Sequence, residues 1–277
     1  MERRIIVLGG LGNQMFLAAI SLVLEKMGFK VSLDISLYQD FKIHNGFELE
    51  HAFITHYKKN VGGVFHRLYL RALLKYKITK FIIIDKGTSN INYLNKFSRY
   101  LFGYWQSDVY FSKYEEEIRK LFRFNKVDER NLNVAKNMER ENSVSIHIRR
   151  GDYIGNAQYS GICTEEYYDA AINYMYDRLL KPHFYIFSND PKYCELFMKK
   201  YGENYTIIDW NIGSESWKDM FLMSKCKCNI IANSSFSWWG AWLNMNNGKI
   251  VIAPSKYDNM DTDDFNKIRV PKSWIRL

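Results

Sequence analysis

The chain has 277 residues, 47% hydrophobic and 25% charged, ordinary globular usage that excludes a disordered or fibrous polymer and allows one large or two modest domains. Its formal charge of +9 calls for an acidic partner, whether nucleotide phosphates, nucleic acid or an anionic membrane surface. Four cysteines, Cys163, Cys194, Cys226 and Cys228, are too few and too scattered for a disulfide framework, and no apolar run approaches the ~20 residues that span a bilayer.

Met1-Glu2-Arg3-Arg4 leads into a short apolar strand, Arg4 to Leu8, not into a signal core, so no targeting segment is expected. Gly9-Gly10-Leu11-Gly12-Asn13-Gln14-Met15 follows, before a helical stretch from Phe16 to Met27. Glycines at a strand-to-helix turn let backbone amides approach an anion, and the helix N-terminus adds partial positive charge. Gly10 and Gly12 fit the first two positions of a dinucleotide fingerprint, and Asp34 sits where its ribose-binding acid belongs. Met15 stands in place of the third glycine, which disfavours a nicotinamide-dependent enzyme. A tight βα turn with no ligand is the alternative.

From Lys58 to Lys80 there are seven Lys or Arg residues and no acid. Phe65, Leu68, Tyr69, Ala72, Leu73 and Tyr76 follow helical spacing, with Arg67, Arg71 and Lys75 on another face. Such a helix fits a membrane surface, where polyprenyl-linked acceptors are found. The alternative is a basic surface helix packed on its own domain. No nucleic-acid-binding motif accompanies the charge, so nucleic acid is not expected as a partner. The polar stretch Asn125 to Asn142 is read either as an interdomain boundary, dividing the chain into 1–135 and 136–277, or as one exposed helix.

The most informative segment is central. Val144, Ile146 and Ile148 alternate as in a strand that stops at His147-Ile148-Arg149-Arg150-Gly151-Asp152-Tyr153. Ligands of open α/β sheets bind outside the carboxyl ends of strands. Guanidinium groups hold phosphate oxygens bidentately and stay charged, so the pair Arg149 and Arg150 points to a phosphate ligand; a solvated turn is the bland alternative. Asp190, at the end of a strand Phe184 to Phe187, is either a reader of guanine N–H groups or a helix N-terminal acid before Pro191. An apolar strand then breaks into Asn233-Ser234-Ser235-Phe236 and continues as a helix carrying Trp238, Trp239 and Trp242. The serines suit an N-cap that offers N–H groups to phosphate, and the indoles suit core packing.

These motifs, with Phe47-Glu48-Leu49, Gly103-Tyr104-Trp105-Gln106-Ser107, Phe187-Ser188-Asn189-Asp190 and Cys226-Lys227, resemble glycosyltransferase family 11, the α-1,2-fucosyltransferases. The resemblance implies an α/β GT-B-like fold, two facing Rossmann-like domains with an interdomain cleft, acceptor on the N-terminal side and GDP-fucose on the C-terminal side. It implies inverting transfer of fucose from GDP-fucose to the 2-hydroxyl of a terminal β-galactose, in an oligosaccharide or polyprenyl-linked glycan such as O-antigen. Arg149 would bind the β-phosphate and His147 lie nearer the nucleoside. Arg150 would reach phosphate or brace Asp152. Gly10, Gly12, Asn13, Gln14, Asn233, Ser234, Ser235 and Phe236 would complete the phosphate and sugar pocket, with Asn13 and Asp152 joining Arg149 in catalysis. Tyr104, Trp105 and Gln106 would line the acceptor side. Asn189 stands where the family often has an aspartate, and Cys228 where it often has histidine.

GDP-fucose is then a co-substrate, and no cofactor or metal is expected. Asp261-Thr262-Asp263-Asp264 carries the Asp-x-Asp pattern that binds manganese in another glycosyltransferase architecture, but reads here as a polar loop. The likeness is to the bacterial type without a membrane anchor, which implies a cytoplasmic enzyme, at most peripheral on the inner membrane face. A non-catalytic sugar-binding protein and a fucosyltransferase of another linkage are the alternatives.

Overall fold

The computed structural model describes residues 2–40, 45–78, 80–96 and 98–277, apart from the side chain of Asp152. The chain divides into two units, Met1–Asn125 and Lys126–Leu277.

The first unit holds strands β1 (Glu2–Ile6), β2 (Lys30–Asp34), β3 (Lys59–Asn60), β4 (Ile82–Ile84) and β5 (Tyr100–Phe102). They form an all-parallel sheet in the order β3-β2-β1-β5-β4. Helices α1 (Leu11–Lys26), α2 (Leu49–Ala52), α3 (Val64–Tyr76) and α4 (Glu115–Leu121) accompany it. Parallel strands need crossovers on the sheet faces, and Ile5 and Ile6 of β1 and Val31 and Leu33 of β2 are buried in the core beside the buried polar residues Arg3, Ser32 and Asp34. Ile6, Leu37, Leu70, Leu73, Ile82 and Tyr100 share one core. The sequence places the first helix from Phe16; it starts at Leu11 with Gly10 as N-cap. Gly12, Asn13 and Gln14 are therefore first-turn helix residues and not loop.

The second unit opens with α5 (Glu129–Arg140), capped by Asp128, whose carboxylate accepts from Asn131 N. The polar stretch is thus one helix. Asn131 hydrogen-bonds Asn211, and Asp128 pairs with Lys218. These contacts tie α5 to the segment that follows it, so the chain divides at Asn125, earlier than the expected 135/136. Strands β6 (Ser143–Ile148), β7 (His183–Ser188), β8 (Tyr205–Ile208), β9 (Cys228–Ile230), β10 (Val251–Ala253) and β11 (Ile275–Arg276) form an all-parallel sheet ordered β11-β10-β9-β6-β7-β8. Helices α6 (Glu165–Tyr176), α7 (Pro191–Met198), α8 (Trp217–Lys225), α9 (Ser235–Leu243) and α10 (Asp263–Arg269) complete it.

All six residues of β6 are buried. Val144, Ile146 and Ile148 share an apolar core with Tyr168, Ala171 and Ile172 of α6. The alternate residues are polar and mostly paired: Ser143 Oγ donates to Met138 O at 2.6 Å, and Asn229 Nδ2 donates to Ser145 Oγ at 2.7 Å. Burial without such partners would cost each group about 1–3 kcal/mol.

Candidate active site

In the second sheet the chain runs β6, β7, β8 to one side, then returns to lay β9, β10 and β11 on the other. Strand order reverses between β6 and β9, and ligands of open α/β sheets bind in the crevice such a reversal leaves. Arg149 and Arg150 leave the end of β6, Asn189 and Asp190 leave β7, and Asn233 to Ser235 leave β9. Three sequence motifs thus meet at the carboxyl edge of adjacent strands.

The two arginines have different surroundings. The Arg149 guanidinium lies 5.5 Å from the Tyr153 ring centroid. Arg150 turns to β7: its backbone N donates to Asn189 Oδ1 at 3.0 Å, its Nε to Asp190 Oδ2 at 3.3 Å, and its guanidinium stacks 3.6 Å above the Tyr193 ring. The ion pair is about one-third exposed on both sides and contributes at most about 1 kcal/mol, so its role is geometric. A Cβ at Gly151 would lie 2.2 Å from Asn189 Nδ2, so a larger residue there would displace the Asn189 side chain.

Asp190 is the N-cap of α7, its Oδ1 accepting from Tyr193 N at 3.2 Å, with Pro191 in the first turn. Both its oxygens have protein partners, so Asp190 is the helix-terminal acid, and its side chain, about one-third exposed, keeps further lone pairs. Arg150 pairs with Asp190, and the alternative in which it braces Asp152 falls on a side chain outside the described residues.

His147 is buried against Phe236, ring centroids 6.1 Å apart. Burial, aided by the Arg149 charge, pushes its imidazole down to about 3, so the ring is neutral at working pH. Its Nδ1 has no hydrogen-bond partner among the described residues, which leaves a polar atom at the switch point to meet a ligand. Ser234 is the N-cap of α9, its Oγ accepting from Phe236 N at 3.3 Å, and Ser235 begins the helix. The α9 N-terminus, with its partial positive charge, stands beside the strand that carries Arg149. Trp238, Trp239 and Trp242 are core, as their spacing suggests.

Asn233 departs from its expected donor-binding role. It is buried, its Nδ2 donates to Tyr257 O at 3.1 Å and Tyr159 O at 3.5 Å, and its carbonyl accepts from Tyr153 OH at 3.2 Å. With its amide spent on backbone, it is a joint between loops. Sequence reasoning overlooked Tyr153 and Tyr193, the rings beneath the two arginines. Their signal was an aromatic two residues beyond Gly151 and another two residues beyond Pro191.

In the first unit, strand order reverses between β1 and β5. Gly10 and Gly12 stand at the α1 N-terminus after β1, as an anion site requires. Gly9 has φ +91°, and a Cβ there would lie 2.6 Å from Asn13 Nδ2. Asn13 Oδ1 accepts from Gln106 Nε2 at 2.6 Å, joining the loops after β1 and β5. Gln106 is aimed by Trp105, which holds φ +46° with its N donating to Asp85 Oδ2 at 2.7 Å and its Nε1 to Tyr93 OH at 2.6 Å. Gln14 is fully buried: Nε2 donates to Gly46 O at 2.7 Å and Gly9 O at 3.0 Å, and Oε1 accepts from Glu48 N at 2.8 Å. That commitment removes it from the donor-binding set. Asp34 is likewise buried, accepting from Ser36, from Asn60 Nδ2 at 2.9 Å and from His66 Nε2 at 2.7 Å. No carboxylate edge is left for a ribose, which argues against the dinucleotide reading.

The Asp261–Asp264 segment is a helix start and not a loop. Thr262 caps α10, Asp263 and Asp264 occupy its first turn, and Asp261 pairs with Arg269. Among the described residues no group of three or more His, Cys, Asp or Glu is arranged to hold a metal ion.

A family 9 glycosyl transferase from Veillonella parvula DSM 2008 superposes with a TM-score of 0.50 at 10% identity, covering 100% of this chain and 86% of that one. Fold and site together define a glycosyltransferase of GT-B-like architecture. The chain belongs to glycosyl transferase family 11, which matches residues 4–277. It is 32% identical over 281 residues to an alpha-1,2-colitosyltransferase from Escherichia coli, covering 97% of this chain and 96% of that protein. It is 33% identical over 303 residues to the O-antigen biosynthesis glycosyltransferase WbnK from Escherichia coli, covering 97% and 98%.

Proposed function

We propose that the protein is an inverting α-1,2-fucosyltransferase that moves fucose from GDP-fucose to the 2-hydroxyl of a terminal β-galactose in a surface glycan such as O-antigen. The observation that carries the reading is Arg149 beside the α9 N-terminus at the strand-order reversal of the second sheet. As the acceptor oxygen attacks the anomeric carbon, the bond to the β-phosphate breaks and negative charge gathers on GDP. A fixed guanidinium and a helix N-terminus bind that charge more strongly than the ground state and so lower the barrier. With charge supplied this way, the reaction is proposed to run without a resident metal. Asp152 is the proposed acceptor of the hydroxyl proton, and neutral His147 offers its ring to the nucleoside. Asn13, with Gln106, is proposed to orient the acceptor. The four free cysteines suit a reducing compartment, and the cytoplasm is the proposed one.

Kinship to a colitosyltransferase favours a second reading, in which the donor sugar also lacks its 3-hydroxyl. Purified protein offered GDP-fucose and GDP-colitose in turn with a panel of β-galactosides distinguishes the two, with linkage analysis of the product. Fucose at O2 of galactose is the expected result. Transfer from GDP-colitose alone would select the second reading, and a product linked elsewhere, or none from either donor, would refute both.

A further inference from the structure

An ordinary surface helix turns one apolar stripe to the core and a polar face to water. Helix α3 departs from this. Leu70 and Leu73 are buried in the first unit's core. At 100° per residue, Tyr76, Phe65, Ala72 and Leu68 lie about 60°, 80°, 100° and 140° round the helix from Leu73, on a flank beside the buried face. Phe65 is 88% exposed, Tyr76 67%, Val64 59% and Leu68 54%. The apolar set that the sequence suggests as a packing face therefore points mostly to solvent, and only Leu73 of it is core. A monomer that keeps such a stripe exposed marks an interaction surface.

Charge narrows the occupant. No acid occurs between Lys58 and Lys80. Asp40 pairs with Arg67 at 2.9 Å and Arg71 at 3.0 Å, and Glu50 pairs with Lys59. Lys58, Lys75, Lys77 and Lys80 have no carboxylate partner among the described residues. Lys75, one helical turn past Arg71, flanks the apolar stripe, and Lys77 and Lys80 follow its end. A second copy of this chain would bring its own lysines against these, and nucleic acid would leave the apolar stripe unmatched. An anionic bilayer satisfies both halves, since its headgroups face the lysines and its acyl boundary takes the aromatic and leucine side chains.

We propose that α3 lies along an anionic membrane surface, with Phe65 and Leu68 entering the acyl boundary and Lys75, Lys77 and Lys80 against lipid phosphates. The inference is independent of the donor sugar, and its test uses none. The full chain is sedimented with phosphatidylcholine vesicles with and without phosphatidylglycerol, at low and high salt. Binding that requires phosphatidylglycerol and weakens with salt is expected. The exposed pair Phe65→Glu/Leu68→Glu and the triple Lys75→Glu/Lys77→Glu/Lys80→Glu should each lower the partition coefficient about tenfold or more, with circular dichroism unchanged. Should the first variant fail to fold, the lysine variant carries the test. The proposal is overturned if the parent chain stays in the supernatant, if a folded variant partitions like the parent, or if the parent self-associates without lipid through Phe65 and Leu68.

Discussion

Gln106 Nε2 donates to Asn13 Oδ1 at 2.6 Å, so one side-chain hydrogen bond joins the loops leaving β5 and β1 where strand order reverses in the first sheet. Asn13→Ala and Gln106→Ala are each expected to lower kcat/KM about tenfold, and the double variant by clearly less than a hundredfold, since either change breaks the same contact. Initial rates in a double-mutant cycle measure the coupling, and simple additivity would deny the pair a joint role. Gly9→Ala should cost about 1–3 kcal/mol by forcing a left-handed backbone and crowding Asn13, visible as a lower Tm.

The adjacent arginines should fail differently. Arg149→Ala is expected to lower kcat about 100- to 1000-fold with little change in Tm, the loss typical of a single group that stabilises transition-state charge. Arg150→Ala should lose less turnover, because its guanidinium is engaged by Asp190 and Tyr193. Equal losses would erase the distinction.

Asp190→Ala should lower stability by about 1 kcal/mol through the lost α7 cap and leave the preference for GDP over ADP unchanged. Calorimetric titration of both nucleotides decides this, and a collapse of the preference would restore Asp190 as base reader.

His147, with its pKa lowered to about 3, takes up a proton in the unfolded chain before it does in the folded one. Between about pH 6.5 and 3 the unfolded state therefore binds more protons, and the stability His147 permits above that window falls as pH falls, by up to about 1.4 kcal/mol per pH unit. His147→Gln should flatten the acid side of the Tm profile. A profile unchanged by the substitution would mean that the imidazole is not buried neutral.

Asp219 has the opposite sign. It accepts from Asn211 Nδ2 at 2.8 Å, and burial pushes its carboxyl up to about 7. The folded state then holds the proton longer than the unfolded one, so stability falls as pH rises from about 4 to 7. Asp219→Asn should raise Tm at pH 8 and have little effect at pH 4. Because the Asp219 and His147 slopes oppose each other across a shared window, the variants are needed to see either.

Much of the carboxyl edge of the second sheet was legible because strands that stop abruptly at charged or hydroxyl residues carry their own signature. The run ending at Arg149, the Ser234 cap and the buried indoles stand where their patterns place them. What stayed hidden depends on neighbours distant in sequence. Gln14 looks like a loop amide until Gly46 and Glu48 close over it. Asp190 shows its contact with Arg150, forty residues earlier, only in the fold. The direction of the α3 stripe stayed open for a simpler reason: helical periodicity reports that a face is apolar, not which way it points.

Asn233 touches Tyr153, Tyr159, Cys163 and Tyr257 through one backbone carbonyl and one amide. Chimeras that trade the 153–163 segment with a relative will therefore succeed only when position 233, whose side-chain amide holds Tyr159 and Cys163, keeps its asparagine. Redesign of this region is a problem of transplanting a knot, not of editing single threads.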